Sequence, residues 1–152
     1  MRTIDNRSRK HLDQRLLSAK PVENWQAPPK GWVRAIRDAL GMSGTQLAKR
    51  LNVSPQSLQT IEKSEAAGTI QLKTLRRAAE ALDCTLVYAL VPNTSLEKMV
   101  GRRARLIATQ ELGRVAHTMR LEAQETGNRN LEDRIEDYIR DNIRPRDLWR
   151  EP

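Results

Sequence analysis

The sequence predicts a mainly α-helical protein: a helix-turn-helix bundle, one β-strand after it, and a C-terminal helical hairpin. Three observations predict this. Residues 42–63 read as two short helices joined by a tight turn, and apolar residues recur at steps of three and four on either side of that stretch. One run, residues 85–91, is instead rich in β-branched and aromatic residues and stops at Pro92. A second set of helical stripes fills residues 96–143.

Composition bounds what such a chain can do. Its 152 residues allow one compact domain plus an appendage. The net charge is +8, of which residues 1–92 carry +7 and the remainder +1. A positive excess concentrated around the helix-turn-helix is what phosphate neutralisation needs. Cys84 is the single cysteine, so neither an internal disulfide nor a cysteine-based zinc site can form, and the cytoplasm is the expected compartment. His11 and His117 stand in unrelated stretches without ligand spacing. No run approaches the roughly 18 apolar residues of a membrane span, and no apolar signal core opens the chain. Paired carboxylates, a nucleophile with its base and a Gly-rich phosphate loop are not discernible either, so neither an enzyme nor a cofactor is expected.

In chain order, Leu12, Leu16 and Ala19 share a face among Arg7, Arg9, Lys10 and Arg15, which gives an amphipathic helix stopped before Pro21. Residues 20–31 hold three prolines and a glycine and form a connector, which Trp25 is expected to pin to the bundle. Trp32, Val33, Ile36, Ala39 and Leu40 make the next helix, closed by Gly41. Ser43 and Gln46 form a capping box that starts the following one, whose face is Leu47, Ala48 and Leu51. Asn52 suits the left-handed conformation that ends a helix, and Val53 anchors the turn. Ser54 is a second N-cap with Pro55 at the first helical position, and Leu58 and Ile61 point back into the same core.

Gln56, Ser57, Gln59, Thr60 and Lys63 remain on the outer face of that second helix. They are side chains of the kind that read base edges in the major groove. Gln56, Ser57 and Thr60 are expected at base edges, Gln59 and Lys63 at bases or phosphate, and Thr45 and Lys49 toward the backbone, with the Ser54 cap also among the DNA-binding residues. Leu72, Leu75, Ala78, Ala79 and Leu82 close the bundle.

The strand at residues 85–91 needs a pairing partner, because isolated ladder groups are left unsatisfied. A second subunit, the connector around Val22 or a partner protein could supply one, and a homodimer is the expectation. Ser95 then caps a long helix carrying Leu96, Val100, Ile107, Leu112 and Met119, weakened at Gly101 and Gly113. Gly127 stops it, and Asn130 caps a last helix with Leu131, Ile135, Tyr138, Ile139 and Ile143, ended by Pro145. Trp149, so near the end of the chain, suggests docking. The expected organisation is residues 1–30 as helix and connector, 31–92 as DNA-binding domain plus strand, and 93–152 as a dimerisation or partner-binding region.

The spacing of Leu47-Ala48, Leu51, Val53-Ser54, Ile61 and Glu62 resembles the lambda-repressor-like helix-turn-helix domain of phage repressors and their bacterial relatives, which implies a DNA-binding bundle. Gly44 stands where many members carry Gln, and the connection after Lys63 is about two residues longer, which extends the reader helix. The segments Pro28-Pro-Lys-Gly-Trp32, Arg34-Ala-Ile-Arg37, residues 72–80, Val87-Tyr-Ala-Leu-Val-Pro92 and Pro145-Arg-Asp-Leu-Trp149 look like the mobile mystery protein A family across nearly the whole chain. Members are encoded beside a mobile mystery protein B with a Fic domain, which transfers AMP from ATP to protein hydroxyls.

That resemblance implies an antitoxin that represses its own operon, binding double-stranded DNA and a Fic partner. Inhibitors of Fic domains share a helix with Ser or Thr, three residues, Glu, then Gly or Asn. Thr118 and Glu122 match its first part, and Ala123 stands at the last position. The alternatives are an inhibitor of the Fic protein without specific DNA binding, and a stand-alone transcriptional regulator.

Overall fold

Seven α-helices and three short 3-10 turns make up the computed structural model, which describes residues 6–119 and 128–150. The helices are α1 (Asn6–Leu16), α2 (Trp32–Ala39), α3 (Gly44–Leu51), α4 (Pro55–Ala66), α5 (Leu72–Ala81), α6 (Leu96–Met119) and α7 (Asn128–Asn142). They divide into two compact units. Ala19–Leu90 form one, and α1 groups with α6 and α7 in the other.

In the first unit α3 packs on α4 and α5, and α2 on α4. Val33, Leu47, Ala48, Leu51, Leu58, Ala78 and Leu82 make its core, with Ile36, Met42, Val53 and Leu75 against them. Each buried leucine contributes roughly 1.5–3 kcal/mol relative to exposure. The turn between α3 and α4 is held by Asn52 at φ 56 and by the Val53 N–H donating to the Ala48 carbonyl at 3.0 Å. Helix α4 runs on to Ala66, as its longer connection implied, and the chain leaves it through Gly68 at φ 73.

The expected β-strand does not exist. Among the described residues no backbone is in a strand, and residues 85–91 carry neither helix nor ladder. The physical reason is the absence of a second strand. The connector around Val22 coils into the 3-10 turn Val22–Trp25 and offers no edge. Burial does not hold the segment either, since Val87, Tyr88 and Leu90 are 80%, 65% and 90% exposed. A β-branched composition expresses fit to a pleated, half-buried surface, and this segment has no such surface. Trp25, 64% exposed, does not pin the connector.

In the second unit α6 packs on both α1 and α7. Helix α6 is continuous through Gly101 and Gly113. Its first turn is capped twice: both Asp13 oxygens accept, from the Leu96 N–H at 2.7 Å and the Glu97 N–H at 3.1 Å, while the Ser95 hydroxyl accepts from the Lys98 N–H. Arg9 pairs with Glu97 at 3.1 Å. Ala104, Ala108, Ile135 and Leu148 are buried. The terminal anchor is Leu148 rather than Trp149, and Arg103 donates to the Leu148 carbonyl at 2.6 Å. Helix α7 begins at Asn128, so Asn130 lies inside its first turn. Glu122 lies outside the described residues, as does the side chain of Thr118.

Candidate nucleic-acid interface

The two helices of the motif start where local hydrogen bonds fix them. At α3 the Ser43 hydroxyl accepts from the Gln46 N–H at 3.2 Å, and the Gln46 side-chain Oε1 accepts from the Ser43 N–H at 2.8 Å. Two of the amides left over at a helix start are thereby satisfied. At α4 the Ser54 hydroxyl accepts from the Ser57 N–H at 3.0 Å, with Pro55 following.

Leu58 and Glu62 of α4 face inward and are buried. The opposite face carries Gln56, Ser57, Gln59, Thr60 and Lys63, all exposed. Thr45 and Lys49 are exposed on α3, and Ser54 is exposed in the turn. All eight expected contact residues therefore lie on the surface of one rigid pair of helices. Their polar groups are not equally free. The Ser54 hydroxyl donates to the Ser57 hydroxyl oxygen at 2.9 Å, and the Thr60 hydroxyl donates to the Gln56 carbonyl at 3.1 Å.

Behind this face α4 is held at two points by α2. Glu62 accepts from Arg37 Nε at 2.6 Å and from its Nη2 at 3.2 Å, while Arg37 Nη1 donates to the Met42 carbonyl at 3.0 Å. Donating to the Glu62 carboxylate raises the Arg37 pKa above its ordinary value and outweighs the opposing effect of burial. One turn further on, Glu65 accepts from the Trp32 N–H at 2.8 Å and the Val33 N–H at 3.0 Å, capping the start of α2. Helix α4 is thus fixed against both ends of α2. Arg77 and Arg50 donate to the Leu51 and Ala81 carbonyls, so these two cations also tie the bundle together.

Sequence reasoning named the residues exposed on this face but gave no positioning role to Arg37, Glu62 and Glu65. One signal was present. Glu62 follows Leu58 by four positions on the core face of α4, and a carboxylate on an apolar stripe needs a cationic partner. Among the described residues no group of three or more His, Cys, Asp or Glu side chains could hold a metal ion, and no helix is long and apolar enough to cross a membrane.

Neither a curated protein nor a solved structure matches the chain. Residues 33–88 match the family model described as Helix-turn-helix, which spans the core of α2, the α3–turn–α4 motif with its exposed face, and α5. Residues 33–88 are thus a repressor-type helix-turn-helix domain, and the chain that carries them is a DNA-binding transcriptional regulator.

Proposed function

We propose that the protein is a sequence-specific repressor acting as the antitoxin of a toxin–antitoxin pair, one that neutralises a Fic-domain protein encoded beside it and represses their shared operon. The observation that carries the repressor half is the exposed polar face of α4, fixed from behind through Glu62 and Glu65. A reader helix must keep its register in the groove to distinguish bases, and a two-point attachment supplies that rigidity. The antitoxin half rests on the segments similar to mobile mystery protein A. The protein acts in the cytoplasm, by binding and not by catalysis. It works as a homodimer, because two reader helices one DNA turn apart address the two halves of an operator.

A gel shift on the protein's own upstream DNA, against a random duplex of equal length at two salt concentrations, tests the repressor. Retardation specific to the upstream DNA and weakened by salt is expected; equal retardation of both duplexes sinks that reading. Within it, Gln56→Ala should cost about 1–3 kcal/mol at one base position, while Lys49→Ala should weaken all duplexes alike and flatten the salt slope by about 1. For the antitoxin, AMP transfer by the Fic partner should cease on adding the protein, and full activity in the presence of excess protein would remove that half. Light scattering at micromolar concentration should return the mass of a dimer.

A further inference from the structure

Five exposed side chains on α4 could touch bases, and the hydrogen bonds within the helix decide what each still has to offer. The Thr60 hydroxyl has its proton committed to the Gln56 carbonyl. This turns the hydroxyl back along the helix and leaves the γ-methyl as the side chain's outward group. The Ser57 oxygen accepts from Ser54 and keeps its proton and a second lone pair, and a hydroxyl that can both donate and accept fits any base edge or phosphate oxygen without telling one from another. Gln56 and Gln59 keep a free amide donor beside a free acceptor.

Charge sharpens the selection. No Arg or Lys occupies residues 55–62, and the first cation is Lys63, two turns into the helix. The N-terminal turns are the ones that reach base edges, and guanine is read chiefly by Arg or Lys there. At 100° per residue, Gln56 and Thr60 lie about 40° apart on the same stripe, so they face neighbouring base pairs.

We infer that this stripe reads adjacent A·T pairs: Gln56 takes the N7 and N6 amino edge of an adenine, and the Thr60 γ-methyl packs on the 5-methyl group of a neighbouring thymine. The inference rests on the repressor reading and specifies the operator that reading leaves open. Thr60 becomes a specificity-determining residue through its methyl rather than its hydroxyl. Lys63, at the far end of the stripe, contacts the phosphate backbone.

In vitro selection from random duplexes with the full-length protein, followed by base analogues in the selected site, tests it. The expected result is a half-site with adjacent A·T pairs. Affinity there should fall about tenfold when one adenine becomes 7-deazaadenine and about threefold when the neighbouring thymine becomes uracil. Gln56→Ala should abolish the first sensitivity. Thr60→Ser retains a hydroxyl able to bond the Gln56 carbonyl but lacks the methyl, and it should abolish the second. A selected half-site of G·C pairs, or an A·T site indifferent to both analogues, overturns the inference and leaves sequence-specific binding standing. No enrichment over random DNA overturns both.

Discussion

Arg37 makes its contacts from a side chain that is only 11% exposed, and Glu62 opposite it is 9% exposed. Removing one member of such a pair strands a desolvated charge, which costs more than the intact pair contributes. Glu62→Ala should therefore lose about 3 kcal/mol in urea unfolding. A cost below about 1 kcal/mol would mean that water reaches Arg37 once its partner is gone. A raised arginine pKa stabilises the fold at every pH below the unfolded value and ceases to do so only as pH climbs through the still higher folded value. The loss in Arg37→Ala should accordingly be the same at pH 7 and pH 9. Gly31 is a second constrained position, at φ 86, where an added Cβ would lie 2.7 Å from Glu65 Oε2. Gly31→Ala combines left-handed strain with displacement of the carboxylate that caps α2, and should cost about 2 kcal/mol.

Among the elements, those whose stabilising contacts are local were legible. Ser43 with Gln46, and Ser54 with Ser57, lie three residues apart, so sequence alone pairs them. The exposed face of α4 was legible for a similar reason, since the spacing of Leu58 and Ile61 dictates which residues are left outside. Remote caps were not. Asp13 serves amides 83 and 84 residues away, and Glu65 serves amides 32 and 33 residues away, with nothing in the local pattern to couple them. The hydroxyl bonds of Ser54 and Thr60 also escaped, because an exposed Ser or Thr on a helix can turn inward or outward. The strand failed as an expectation because its evidence was compositional, whereas a strand exists only through its neighbour. Asp13→Ala should cost about 1 kcal/mol and show as faster hydrogen exchange at the Leu96 and Glu97 amides. Unchanged exchange there would assign the start of α6 to Ser95 alone.

For the molecule as a whole, the order of the chain matters more than either unit taken singly. The DNA-binding unit is inserted between α1 and α6, and the bonds from Asp13 and Arg9 to the first turn of α6 join the chain before the insertion to the chain after it. While the inserted unit is folded, its own fold closes most of the loop between α1 and α6; when it unfolds, the whole insertion becomes the loop that α1 must close. Lengthening that loop from roughly 30 to roughly 80 residues costs about 1 kcal/mol, since closure entropy grows as 1.5 RT ln n. A folded DNA-binding unit thus stabilises the contact between α1 and α6 through the length of the loop alone. Leu47→Ala, which opens a cavity in the reader core and should cost about 2–5 kcal/mol there, provides the measurement. In urea just sufficient to unfold the reader unit of this variant, exchange at the α1 and α6 amides should be about fivefold faster than in the unmutated protein, whose reader unit is still folded. Equal exchange in the two proteins would show that α1 holds its place on α6 by packing and capping alone, whether or not the inserted unit is folded.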